Sequence, residues 1–412
     1  MARMLQTSGG YPHDTDRRVA MVVLNSLDPD PRVWREAESL ARAGWGVVVL
    51  AGKRPDQKRV EEGDGFVVLR LFQGFPYGPR PVETLLVWTR FLSYVFSRKR
   101  RRFSVVHCHD AETLPLGWVL SRSDGAKLVY DAHELFFDYV PADRYLRSPW
   151  QRFKNRVLRG VMSLVERRAI GRCDRVFTVN SSLSRMIEAR YGLKERPEFL
   201  YNARRYTSVE RTTYLRERLG IPVYGKILFY QGAIRPDREI ERMIEILPLL
   251  EEEWFLVVAG QVSPPRYLDR LRRLAGSLCV GRRFSYGGFL DYEKELLLAT
   301  ASSDMGLFLL PPTNLTYRFS LANKLFDYVM AEIPMIVSDL PEMRGFVEKY
   351  GLGIAVDLER RDEIAGAITR LAEDRAMYRR IVANIREAKK ELCWEKQEGK
   401  LVTVYQELSS SS

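Results

Sequence analysis

The chain has 412 residues, of which 46% are hydrophobic and 29% charged, with a mean hydropathy of -0.25; apolar runs recur along nearly its whole length, which excludes long disorder except at the ends and predicts two domains. No apolar stretch approaches the roughly 20 residues of a membrane-spanning helix, and the opening segment MARMLQTSGGYPHDTDRR has no signal-peptide core, so the expected location is the cytoplasm. The net charge of +12 is one-sided, because residues 1–206 hold 36 Lys and Arg against 23 Asp and Glu, leaving -1 for residues 207–412; the first half therefore expects an anionic partner, whether a membrane surface, nucleic acid or a phosphorylated substrate.

In chain order, RRVAMVVL (17–24) reads as a buried strand, followed by the polar loop NSLDPDPR and a helical pattern over VWREAESLARAG (33–44) that ends in Gly44. WGVVVLAG (45–52) is a second strand, and strand, helix, strand with short loops makes a βαβ unit with a right-handed crossover. The alternation continues through FVVLRLF (66–72), SVVHCHD (104–110), AKLVYDAHE (126–134) and DRVFTVNSS (174–182). A charged, turn-rich stretch over 201–225 marks the inter-domain linker. A second series follows: KILFYQG (226–232), WFLVVAG (254–260), RFSYGGF (283–289), MGLFLLP (305–311) and IPMIVSD (333–339). The predicted fold is α/β, with two Rossmann-like, doubly wound parallel-sheet domains facing a central cleft at the carboxyl ends of their strands. The expected division is residues 1–203, 204–390 and a C-terminal helix and tail over 391–412. The last helix, read over 376–407, carries Trp394 and Tyr405, which could anchor it either on the first domain or within the second.

Cys108, Cys173, Cys279 and Cys393 match no C-x-x-C spacing, so neither a zinc site nor a disulfide framework is predicted. No G-x-G-x-x-G occurs, which disfavours a nicotinamide dehydrogenase.

Several ordered segments resemble one family: DPDPRVWREAESLARAGWGVVVL, VVHCHD with KLVYDAHELF, ERRAIGRCDRVFTVNSSL, YQGAIRPDREIERMIEIL and SLANKLFDYVMAEIPMIVSD. Together they are similar to bacterial glycosyltransferases of the GT-B fold, in the retaining family 4 group, over about residues 17–407. In TYRFSLANKLFDYVMAEIPMIVSD (316–339), Ser320 reads as an N-cap, so the amides of Leu321, Ala322, Asn323 and Lys324 would point out of a helix start, beside the Lys324 charge. Such a place favours an anion. The resemblance implies that this anion is the diphosphate of a nucleotide sugar. Relatives carry a Glu-x7-Glu pair on this helix for sugar and ribose. Here the second position is Asp327, which can still accept ribose hydroxyls, and the first is Phe319, which cannot.

Where relatives set an Arg and a Lys against the diphosphate, this chain has Ala233 and Arg238, with Arg235 nearby. A guanidinium grips phosphate oxygens through two N–H groups, so Arg238 suits the departing diphosphate, with no metal or cofactor required. The resemblance places His133 beside the donor sugar and gives the Gly288–Phe289 loop to the nucleotide base. His109 and Asp110, in VVHCHD, and Arg32, at the helix start after DPDP, are assigned to the acceptor side. A metal on His107, His109, His133 and Asp110 is geometrically possible, because His-x-His places both rings on one face of a strand, but the resemblance argues against it.

Two segments hold most of the basic charge: ETLLVWTRFLSYVFSRKRRRF (83–103), ending in RKRRR (98–102), and residues 144–172, with nine Lys and Arg against one Glu. Arginines interleaved with aromatic and aliphatic residues suit an interfacial helix on anionic lipid. The sequence thus predicts a retaining glycosyltransferase, peripheral on the inner face of the cell membrane. It would move a sugar from a nucleotide-diphosphate donor to a lipid-linked or cell-envelope polysaccharide acceptor, with no nucleic-acid partner. The alternatives are a sugar-nucleotide epimerase of the same fold and a non-catalytic scaffold, the latter favoured by Phe319 and Ala233.

Overall fold

The computed structural model of the chain describes residues 17–28, 30–73, 81–97, 102–135 and 148–410. Residues 98–101 of the RKRRR run and residues 144–147 of the second basic segment lie outside them.

The chain divides into two compact units, one of residues 1–201 with 397–412 and one of residues 202–396. In chain order the first contains β1 (Arg18–Val22), α1 (Pro31–Arg42), β2 (Gly46–Lys53), β3 (Val60–Glu62), β4 (Phe66–Gln73), α2 (Pro81–Ser97), β5 (Val105–His109), α3 (Leu114–Asp124), β6 (Lys127–Ala132), α4 (Pro149–Ile170), β7 (Arg175–Thr178), α5 (Ser181–Tyr191) and β8 (Glu198–Phe199). Its eight-stranded sheet runs β3-β4-β2-β1-β5-β6-β7-β8 and is parallel except for the short edge strand β3. The inner strands are Val-rich and buried on both faces, β1 and β5 along their whole length, as helices covering both sides of a parallel sheet require.

The second unit contains α6 (Tyr214–Leu219), β9 (Lys226–Gln231), α7 (Ile240–Glu245), β10 (Trp254–Ala259), α8 (Tyr267–Ser277), β11 (Phe284–Tyr286), α9 (Leu296–Ala301), β12 (Met305–Phe308), α10 (Leu315–Arg318), α11 (Asn323–Met330), β13 (Met335–Ser338), α12 (Pro341–Tyr350), β14 (Gly353–Val356), α13 (Arg361–Glu373) and α14 (Arg375–Ala388). Its all-parallel sheet runs β11-β10-β9-β12-β13-β14. In both sheets the strand order reverses beside the first strand, between β1 and β5 and between β9 and β12. Such a reversal leaves a crevice outside the carboxyl ends of the strands.

The single helix read over 376–407 is two helices, α14 and α15 (Trp394–Ser410), with the chain turning between them. From Gln397 onward α15 belongs to the first unit. There Leu401, Val404, Tyr405 and Leu408 are buried, Tyr405 meets Trp45 edge-on at 5.2 Å, and its hydroxyl lies 2.8 Å from His107 Nδ1. Trp394 is buried in the second unit, where its amide donates to the Arg204 carbonyl.

Candidate functional site

At the strand reversal of the second unit, β9 ends in Tyr230-Gln231 and continues into Gly232, whose φ of +129° favours glycine. A Cβ at Gly232 would stand 3.3 Å from Lys324 Cε and Nζ, so the missing side chain leaves room for the lysine. Lys324 Nζ lies 3.9 Å from the Phe308 ring centroid and 5.2 Å from that of Tyr230. Burial against these rings, with repulsion from Arg238 and Arg235, pulls the ammonium down to about 7. Arg238 stacks over Tyr317 at 4.7 Å. Neither Lys324 nor Arg238 ion-pairs with a carboxylate among the described residues. Cations gathered without an acidic partner favour an anionic ligand.

Arg235 is differently placed. Its Nε pairs with Asp237 at 2.8 Å and its Nη2 donates to the Tyr317 hydroxyl, which in turn donates to Asp237. The expected free substitute for Ala233 is therefore engaged, and it braces the turn Pro236–Arg238 that presents Arg238.

The helix start also differs from expectation. Asn314 caps the short α10 by accepting from the Tyr317 amide at 2.7 Å, the Ser320 amide is used by Tyr317, and α11 begins only after Ala322. Ser320 is not the N-cap. The amides of Leu321, Ala322, Asn323 and Lys324 nevertheless form no hydrogen bond among the described residues. Asp327 is 3% exposed, accepts from Gln231 Nε2 at 2.7 Å and lies 3.4 Å from Arg204 Nη1. It is thus the centre of a buried network. Arg204 also donates to the Tyr292 carbonyl and stacks on its ring at 4.2 Å. In the Gly288–Phe289 loop, the Gly288 carbonyl accepts from Gly260 at the end of β10, and Phe289 is exposed.

The reversal in the first unit gathers a second cluster. Asp131, at the end of β6, accepts from Arg32 Nε at 2.7 Å and Nη2 at 3.0 Å. Arg32 Nη1 donates to the Leu200 carbonyl, and Glu36 lies 3.0 Å from Arg32 Nε. Arg32 is therefore buried and fully used, and does not face an acceptor as its helix-start position suggested. Burial works against ionisation of Asp131, but Arg32 and His133 hold its carboxyl well below the usual range. Burial instead raises Glu36 to about 7, although Arg32 opposes this.

His133 is 3.0 Å from Asp131 through Nε2 and 3.5 Å from Asp110 through Nδ1. Burial disfavours its charge, yet Asp110 and Asp131 outweigh this and raise the imidazole to about 10. Asp110 holds a φ of +65°, unusual for a residue with a side chain, and remains partly exposed. His109 is buried, stacked on His107 at 4.4 Å with its Nδ1 3.4 Å from His133 Nε2. It backs His133 and cannot meet an acceptor.

Among the described residues the compact group with metal-ligand character is Glu36, His107, His109 and Asp131, whose ligand atoms lie within 4.8 Å of one another. Arg32 already supplies a cation to both carboxylates, and Tyr405 occupies His107 Nδ1. Sequence reasoning missed Asp131, Glu36, Gln231, Arg204 and Tyr317. Only Asp131, inside VYDAHE, carried a local signal.

Residues 29–203 match the family model described as a glycosyl transferase 4-like domain, and residues 212–388 match that of the glycosyl transferases group 1. The chain belongs to the GT-B glycosyltransferases. This glycosyltransferase is similar in structure to sucrose-phosphate synthase from Thermosynechococcus elongatus, at 20% identity and a TM-score of 0.75, covering 96% of this chain and 100% of that one. It is also similar to Anabaena HepE in complex with UDP and glucose, at 16% identity and a TM-score of 0.69, covering 96% and 99%. A third is WaaG, a glycosyltransferase involved in lipopolysaccharide biosynthesis, at 16% identity and a TM-score of 0.65, covering 94% and 99%. At these identities the likeness shows the fold. No curated protein matches the chain in sequence.

Proposed function

We propose that the enzyme transfers a sugar from a nucleoside-diphosphate donor to a lipid-linked or cell-envelope polysaccharide acceptor, with retention of anomeric configuration. The observation that carries this reading is the pair Lys324 and Arg238, which among the described residues ion-pair with no carboxylate, beside the amides of residues 321–324, which form no hydrogen bond there. Together they suit a pyrophosphate bridge, and their charge would stabilise the departing diphosphate without a metal or another cofactor. Asp327, held by Gln231 and Arg204, would accept from ribose, and the Gly288–Phe289 backbone would meet the base. Among similar structures, HepE is in complex with UDP-glucose, which supports a nucleotide-sugar donor.

From the first unit, His133 would offer a charged N–H to a sugar hydroxyl or the reacting oxygen, with Asp110 on the acceptor side. No enzymic nucleophile is assigned; front-face attack, with the leaving phosphate taking the acceptor's proton, accounts for retention. A lipid-linked acceptor is supported by the basic charge of the segments at 83–103, where RKRRR follows α2, and 144–172, and would put the enzyme on the inner membrane face. Arg238→Ala should reduce kcat/KM by about 2 kcal/mol of transition-state stabilisation or more, as the loss of one charge-assisted donor does. Turnover equal to the parent's would remove Arg238 from the reaction.

A further inference from the structure

Helix α4 turns two faces to different surroundings. Its inner face closes on the first unit through Glu166, which is buried and accepts from the Tyr130 hydroxyl at 2.8 Å and the Tyr191 hydroxyl at 2.6 Å, with Ala169 and Ile170 buried beside it. On the outer side, Trp150, Phe153, Val157, Val161 and Leu164 are 70%, 56%, 49%, 53% and 50% exposed. At 100° per residue, their spacing of 3, 4, 4 and 3 confines them to a stripe about 80° wide. The Trp150 and Phe153 rings stack with centroids 5.8 Å apart. Five large apolar side chains held in one line in water mark an interaction surface.

Charge identifies the occupant. Across α4 the sequence has Arg152, Lys154, Arg156, Arg159, Arg167 and Arg168 against the single acid Glu166, whose carboxylate is turned inward. Arg156, Arg167 and Arg168 are exposed, the first two beside the stripe and Arg168 on its line at the C-terminal end of the helix. Two copies of this face would bring like charges together, whereas anionic headgroups would neutralise them. Helix α2 is different, because Val87, Phe91 and Val95 are buried and, of the large apolar side chains described, only Leu86 and Phe96 stand exposed. It covers the sheet.

We infer that α4 is an interfacial docking helix, whose five apolar side chains enter the boundary between headgroups and acyl chains of an anionic bilayer while Arg156, Arg167 and Arg168 meet lipid phosphates. This rests on the membrane-side acceptor proposed above for its purpose and narrows the attachment to one helix face, held by insertion as well as by charge. The test is flotation of the full chain with phosphatidylcholine vesicles, with and without phosphatidylglycerol, alongside Trp150→Ser/Phe153→Ser/Val157→Ser and Arg156→Gln/Arg167→Gln/Arg168→Gln variants. The parent should float with anionic vesicles. The serine variant, unchanged in charge, should lose at least about tenfold in bound fraction, and the glutamine variant should lose the preference for anionic lipid. Equal flotation of parent and serine variant, or no flotation of the parent, would overturn the inference, as would a parent dimer that the serine variant abolishes without change in lipid binding. Thermal shift with UDP on the same samples reports folding and the donor site separately, so failure of the docking face is distinguishable from failure of the donor reading.

Discussion

At the scale of single residues, one buried guanidinium governs the first unit's site. Arg32 satisfies Asp131 with two hydrogen bonds, which leaves Glu36 the poorer share and a raised proton affinity. Arg32→Leu should cost about 3–5 kcal/mol, because it strands a buried carboxylate; a lowered denaturation midpoint checks this. Lys324 carries the opposite logic. Its folded-state value of about 7 lies below the ordinary 10.5, so the folded protein disfavours the charge, and this group's contribution to stability is greatest above 10.5 and lost as pH falls through 7. A bound diphosphate would restore the proton. Affinity for UDP should therefore weaken between pH 7 and 9, by up to roughly tenfold per pH unit, and Lys324→Met should flatten the profile; titrations at three pH values measure it. His133 lies on the other side of its range: raised to about 10, its ion pairs contribute fully below 6.5 and are lost only as pH rises through 10. Lys324, Arg238 and His133 were singled out in the sequence because Lys324 opens a helix, Arg238 and His133 follow strands, and the family resemblance marks the same places. The burial of Arg32 was not, since its partner lies 99 residues away and no local pattern distinguishes it from a solvent-facing helix start.

At the scale of elements, α15 closes the first unit over His107. Tyr405→Phe should cost about 1–3 kcal/mol by leaving a buried imidazole nitrogen without its partner, visible as a lower melting temperature. The strands were readable as apolar runs bounded by turns; β3 (VEE), β8 (EF) and β14 were not read, the first two because they hold a single apolar residue each. Helix ends were less readable. Asn314 captures the Tyr317 amide and starts α10, which delays α11 past Ser320. The break between α14 and α15 contains neither Gly nor Pro, so helical periodicity ran across it.

At the scale of the whole molecule, the excess positive charge lies in residues 1–206, while the cations of the proposed donor pocket, which ion-pair with no carboxylate among the described residues, lie in the nearly neutral remainder. General basicity therefore does not account for the pocket. Local geometry does: Gly232 opens space, Phe308 and Tyr230 shield Lys324, and Tyr317 with Asp237 and Arg235 fixes the turn bearing Arg238. Calorimetric titration of UDP and GDP into the parent and into the Arg238→Ala/Lys324→Met double variant tests this most directly. At least one nucleotide should bind the parent, and the variant should bind it at least about tenfold more weakly, as the loss of two charge-assisted contacts requires. Equal affinity in the two proteins, or no binding of either nucleotide to the parent, would contradict the pyrophosphate pocket.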